Sequence, residues 1–378
     1  MGIFLPGIAS IMPLLPISSR SCRLPVSFRR WLRVLALSLS AATSCTALAD
    51  APPMVGMPRL STVSAPAREP STALLPAGDE VSAASEVAGT ADDTPTLTRI
   101  RERGRILLGY RQTAVPFSYV DAQDQPMGLA WALCQRIVPA LQREMAMPEL
   151  RSTPVRIIEQ MRGPLIKGDA IDIDCAPSTV TAAREQQVAF SLPYYAAHVR
   201  LMVRRGAGID SIDDLRGLRL AVVQGTTAER LVRAQHARAG FQLLMARDYD
   251  DAFRMLRERR AQALALDDVL LEGLRATSKA PEAFRIVGEP LSGQAEYYAL
   301  VMPKDDPAFK NKVDAVLAAM FRSGEMARLQ RESFRAALSP HGHGQPLAPS
   351  AETMALWESG ARYGVEQEAS ASSPAAGS

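Results

Sequence analysis

Residues 169–191 read DAIDIDCAPSTVTAAREQQVAFS, and the fold of this stretch decides the architecture of the chain. Ile171 and Ile173 alternate with Asp172 and Asp174, the two-residue period of a half-buried strand. Pro177-Ser178-Thr179 then predicts the end of that strand, and Thr181 to Arg184 the start of a helix. Such a junction carries one hydroxyl, Thr179, and one guanidinium, Arg184, to the edge of a sheet. Together they suit a small carboxylate, because the hydroxyl and turn N–H groups donate singly while the planar arginine fork donates two parallel bonds. The same residues also read as a helix cap and a solvated arginine, and the window alone does not separate the two readings.

On the N-terminal side, Leu97 to Arg103 reads as a short helix, Ile106 to Tyr110 as a strand, and Phe117 to Val120 as a strand entering a turn. Leu129 to Met145 has the period of a long amphipathic helix, followed by a strand over Val155 to Ile158 and a helix over Met161 to Lys167. Strands alternating with helices predict a doubly wound α/β sheet. On the C-terminal side the alternation restarts: a strand over His198 to Val203, then Arg219 to Val223, a Gly225-Thr226-Thr227 turn, and a helix over Ala228 to Ala239. Phe241 to Ala246, Tyr249 to Arg259 and Ala261 to Leu266 repeat strand, helix, strand, before a helix over Val269 to Ala276. A last strand, Tyr297 to Met302, precedes helices over Ala308 to Ser323 and Met326 to Ala337. The second unit is bracketed by pieces that need partners elsewhere, which predicts two lobes. Residues 95–199 with 295–338 form lobe 1, residues 200–294 form lobe 2, and two connecting strands serve as the hinge.

The ends of the chain differ in kind from this body. Arg20, Arg23, Arg29, Arg30 and Arg33 precede an apolar run from Val34 to Ala42 that ends at Ala47-Leu48-Ala49, the pattern of a secretory signal over residues 1–49. Without it, 38 basic residues face 40 acidic ones, so the +3 net charge belongs to the leader and nothing supports nucleic-acid binding. Residues 50–94, rich in Pro, Ala, Ser, Thr and Gly, predict a flexible linker. Residues 339–378 are expected to be a largely flexible extension, in which His341 and His343 carry no metal role. Only Cys134 and Cys175 lie beyond the leader, too few for a cysteine zinc site, and the sequence leaves open whether they pair.

Five ordered motifs carry a resemblance: GYRQTAVPFSY from Gly109, CAPSTVTAAREQQVAFS from Cys175, VQGTT from Val223, ALDDVLL from Ala265 and KDDPAFK from Lys304. On these the chain resembles the family 3 periplasmic solute-binding proteins, most of all their glutamate/aspartate-binding branch, over about Leu97 to Ala337 and faintly through PLAPSAETMALWE. The resemblance implies a type II periplasmic binding protein fold: a monomer without cofactor that closes on an amino acid and delivers it to an ABC-type permease. Residue by residue it makes Arg184 and Thr179 the holders of the ligand α-carboxylate. Thr226 and Thr227 become further donors from lobe 2, and Asp267 the acceptor for the α-ammonium. Arg111 and Arg162 are then directed at a side-chain carboxylate. The bare residues allow Asp267 and Asp268 to be a capping pair and Arg162 to be a solvated helix start, while Arg111 ends a strand, where ligand crevices lie.

The chain also departs from that branch. Glu159 stands where a small hydroxyl residue is expected, Pro177 where a serine is, and Tyr249 where a histidine is. Glu159 is able to pair Arg162 internally and repel an acidic ligand, so a neutral polar or basic amino acid, or another dicarboxylate-like solute, stays open as the cargo. The cysteine expected to pair with Cys175 reads Leu300, so the family's usual disulfide is expected to be lost. An enzyme of dehydratase type on the same scaffold, with Glu159 as acid, and a ligand-presenting sensor component are the alternatives.

Overall fold

The computed structural model describes residues 94–338 and 347–372. The expected signal, nearly all of the expected linker, and His341 and His343 lie outside the described residues. Among those described, no helix is long and apolar enough to cross a membrane.

The described chain begins with a helix, Pro95–Arg103, whose N-cap Thr94 accepts from the Leu97 N–H and which stops at Gly104 with φ 63°. It feeds the strand Arg105–Tyr110, which pairs in parallel with Arg151–Arg156 on one side and Ile173–Thr179 on the other. Glu296–Met302 then pairs antiparallel with Ile173–Thr179, and the short Ala189–Phe190 completes that edge. A second sheet runs in the order Gln242–Ala246, Arg219–Val223, Ala263–Asp267, Val199–Arg204, Phe284–Val287. Its first three strands are parallel and Val199–Arg204 runs against them. The chain leaves the first sheet after Tyr195–Ala197 and returns at Glu296, and these two crossing segments pair with one another, Ala197 opposite Glu296 and Tyr195 opposite Tyr298. An aromatic nucleus sits beneath them: Phe117 meets Tyr195, Tyr298 and Phe334 edge-on, at centroid distances of 4.9, 5.2 and 5.5 Å.

Two expectations about this strand are corrected. The Ile173–Thr179 strand is buried at every position and is not broken by Pro177. Its register with Glu296–Met302 shifts between Ala299 and Val301, a bulge beside the proline, where a missing N–H breaks no ladder. The predicted half-exposed face is instead satisfied by ions: both Asp172 oxygens lie 2.7 Å from Arg103, and Asp174 pairs with Arg111. The pairing that the sequence leaves open is made: Cys134, on the helix Leu129–Glu144 that covers this strand, forms a disulfide with Cys175.

The segment beyond residue 346, expected to be flexible, docks instead. Leu347 accepts from Gln330, Thr353 Oγ1 accepts from the Ala196 N–H, and the Trp357 indole donates to the Tyr194 carbonyl at 2.8 Å. Gly360 lies so close to the Phe321 ring that a Cβ would sit 2.5 Å from it. Helix Ala351–Ser372 therefore covers the hinge segment Tyr195–Ala197 and supplies a donor and an acceptor that the edge would otherwise lack.

Candidate functional site

Arg184 follows the C-terminal end of Ile173–Thr179 in a one-turn helix, Ala182–Glu185, that Thr181 caps. That turn aims the guanidinium back at the strand end, where one arm donates to the Thr179 carbonyl at 2.7 Å. The other arm reaches the second lobe and donates to the Gly225 carbonyl at 3.1 Å. Burial lowers its proton affinity, partly offset by Glu296 and Asp267.

Glu296 is the central residue that sequence reasoning missed. One of its carboxylate oxygens accepts from Thr179 at 3.0 Å and also from Thr227, at the start of the helix Thr227–Ala239 of the second lobe. It opens the strand by which the chain re-enters the first sheet, and that hinge position is the signal by which it was findable. Thr226 has a different use from the one expected: its hydroxyl caps the same helix, accepting from the Glu229 N–H and donating to the Val223 carbonyl.

Asp267 ends the apolar strand Ala263–Asp267 at the N-cap position of the next helix but makes no side-chain cap bond. The Tyr298 hydroxyl, from the other sheet, donates to its Oδ2 at 2.5 Å, while its Oδ1 is buried without a partner. Asp268, by contrast, opens that helix and accepts from the Val269 N–H and from the distant His198 N–H. Burial, with nearby Glu296 second, pushes the Asp267 carboxyl up to about 8.

The remaining two arginines lie together, with opposite satisfaction. Arg111 donates to Asp174 with two arms, at 2.9 and 3.2 Å, and to Glu159 through Nε at 3.2 Å. Burial opposes its charge, but Asp174 and Glu159 outweigh that and hold it protonated above the ordinary value. The Glu159–Arg162 side-chain pair that the sequence allows does not form: Glu159 goes to Arg111, and Arg162 donates only to the Glu159 carbonyl at 3.3 Å. Arg162 Nε is 3.7 Å from Asp174, and Nε and Nη1 are buried without hydrogen-bond partners. Burial, then Arg184 and Arg111, pulls the Arg162 guanidinium down to about 9. Tyr249, from the second lobe, is buried beside the same groups, which raises its hydroxyl well above its usual range, Glu159 and Asp267 adding to burial.

Arg111, Arg162, Thr179, Arg184, Thr227 and Asp267 thus converge where the two lobes meet, and Asp174, Glu296 and Tyr298 join them from positions the sequence did not single out. Three guanidinium groups face four carboxylates, Glu159, Asp174, Asp267 and Glu296. The arrangement offers donors from lobe 1, an acceptor from lobe 2, and a distal cluster in which both donors and acceptors lack partners. Among the described residues no group of His, Cys, Asp and Glu is placed to hold a metal ion.

The family signature described as "Bacterial extracellular solute-binding proteins, family 3" matches residues 106–336. The L-glutamate/L-aspartate-binding protein of Pseudomonas aeruginosa is 34% identical over 252 residues, 66% of this chain and 83% of that protein. The glutamate/aspartate import solute-binding protein of Escherichia coli is 32% identical over 297 residues, 77% of this chain and 96% of that protein. Among solved structures, a mutant of ArgBP from T. maritima superposes with a TM-score of 0.57 at 26% identity, covering 63% of this chain and 99% of that one.

Proposed function

Because the chain belongs to the bacterial extracellular solute-binding proteins of family 3, we propose that it binds an α-amino acid of the glutamate/aspartate class between its lobes and hands it to the permease of an ABC import system. The signal pattern over residues 1–49 supports export, and with it a periplasmic place of work.

The observation that carries this reading is that Arg184 and Asp267, from different lobes, both feel the charge of Glu296 and each makes a hydrogen bond to the opposite lobe. A ligand α-carboxylate at Arg184 replaces a neutral carbonyl acceptor with a charged one that the planar guanidinium fork can hold by two parallel bonds. A ligand ammonium supplies the donor that Asp267 Oδ1 lacks and draws the proton off its carboxyl. One ligand held by both residues holds the lobes together, which is how binding becomes a conformational signal for a membrane partner. Thr179 and Thr227 add hydroxyl donors, Arg162 a distal cation, and Arg111 acts as a positioning residue that neutralises Asp174 and Glu159. These groups bind and orient, and the relatives are named as binding proteins, so no catalytic role is assigned.

The test is calorimetric titration of the purified protein with the twenty amino acids, beside the Arg184→Ala variant. Micromolar binding corresponds to about −8 kcal/mol, and loss of a buried charge partner costs about 2 to 5 kcal/mol. Arg184→Ala should therefore weaken binding by a factor of about 30 or more. Failure of every amino acid to bind, or full affinity in Arg184→Ala, would refute the proposal.

A further inference from the structure

The distal end of the cleft holds a donor–acceptor template. Glu159 Oε2 and Arg162 Nε and Nη1 are buried without hydrogen-bond partners, and their residues are only 6% and 7% exposed. Glu159 Oε1 is occupied by Arg111, whose other arms grip Asp174, so Arg111 cannot turn to Oε2 without giving up the Asp174 pair. The Arg162 side chain donates to the Glu159 backbone carbonyl, which ties the donor and acceptor halves of the template into one turn. Gln160, on the same turn, packs over Gly225 of the other lobe and leaves its own Oε1 without a donor.

A bare carboxylate placed here satisfies Arg162 but sets acceptor against acceptor at Glu159, and charge against like charge in a buried site. A group that accepts at one atom and donates at the next satisfies both. We propose that Glu159 selects, at the far end of the cleft, a ligand group that accepts from Arg162 and donates to Glu159: the carboxamide of a glutamine-type ligand, or a glutamate-type carboxyl that enters with one proton. This rests on the reading of the cleft as an amino-acid site. Glutamate then takes one proton from solvent on binding, shared between its side-chain carboxyl and Glu159, and glutamine takes none at this position. The charged or titratable groups facing Glu159 are Arg111 from the end of the first strand, Asp174 across Arg111, Arg162 from its own turn, and Tyr249 from the second lobe. Asp267 changes protonation on meeting the ammonium of either ligand, so the ratio of the two affinities cancels its contribution.

Isothermal titration with L-glutamine and L-glutamate from pH 5.5 to 8.0, in buffers of different ionisation enthalpy, tests the idea. The glutamate-to-glutamine affinity ratio should rise by about tenfold for each pH unit lowered, with one extra proton taken up for glutamate. Glu159→Gln keeps the size of the side chain and supplies a donor of its own. It should raise glutamate affinity at pH 7.5 by at least tenfold and abolish the pH dependence of the ratio. A ratio that is flat with pH and unmoved by Glu159→Gln overturns the inference while leaving the amino-acid reading intact. Binding of other amino acids with both of these silent overturns it as well. No binding by any amino acid removes the underlying reading, and the inference with it.

Discussion

At the scale of single residues, the site is a set of buried charges whose partners come from far along the chain. Arg111 meets Asp174 and Glu159 at separations of 63 and 48 residues, and Thr179 meets Glu296 at 117. Sequence patterning found the arginines because strand ends and strand-to-helix junctions are local features. It missed Glu296, Tyr298 and the role of Asp174 because nothing local marks which long-range partner a buried carboxylate or phenol will meet. Asp267 carries a prediction of its own. Its folded-state carboxyl, at about 8, binds a proton more tightly than the unfolded-state value of about 3.9. The stability it contributes is thus complete below about pH 4 and is lost as the pH rises through about 8, at a slope of up to about 1.4 kcal/mol per pH unit. Asp267→Asn removes this titration, so chemical denaturation at pH 5, 6.5 and 8 should show a shallower decline than in the wild type. Parallel declines in the two proteins would mean that Asp267 ionises normally in the fold.

At the scale of elements, the alternation of apolar strands and amphipathic helices was legible, and Arg219–Val223 has the bounds that its sequence predicts. What escaped were features settled by a neighbour. Pro177 was read as a strand breaker, yet the strand continues past it, because Cys175 to Pro177 bulge out of the ladder opposite Leu300 and the missing N–H falls where no ladder pair is made. Cys134 joins Cys175 across a helix–strand contact that no spacing announces, closing a loop of 41 residues. By chain entropy such a closure is worth about 4 kcal/mol. The docked C-terminal segment is the largest departure, because its low-complexity surroundings masked a short amphipathic stretch ending in Trp357. That indole is 9% exposed and fills a site over the hinge edge while donating to Tyr194. Trp357→Ala should lower unfolding stability by about 3 kcal/mol, read as a shift in the urea midpoint at unchanged slope. An unmoved midpoint would return this segment to the flexible tail that its composition suggested.

At the scale of the whole molecule, three hydrogen bonds span the cleft: Arg184 to the Gly225 carbonyl, Thr227 to Glu296, and Tyr298 to Asp267. Arg184 donates as a cation, so its bond is charge-assisted, and the other two end on carboxyl groups. They connect lobes that are otherwise joined through the paired crossing segments, so the balance between closed and open forms rests on a few kcal/mol. Thr227→Val with Tyr298→Phe deletes both carboxylate-bound donors while keeping side-chain shape. At about 1.5 kcal/mol each, the double variant should shift the open-to-closed ratio by a factor of about 100. Small-angle scattering without ligand should then show a larger radius of gyration than the wild type, and calorimetry a weaker affinity. Saturating amino acid should bring both proteins to the same compact profile, because the ligand supplies its own bridge between Arg184 and Asp267. Should the variant scatter like the wild type without ligand, these bonds do not set the closure. Should neither profile respond to a bound ligand, hinge closure itself is wrong for this protein.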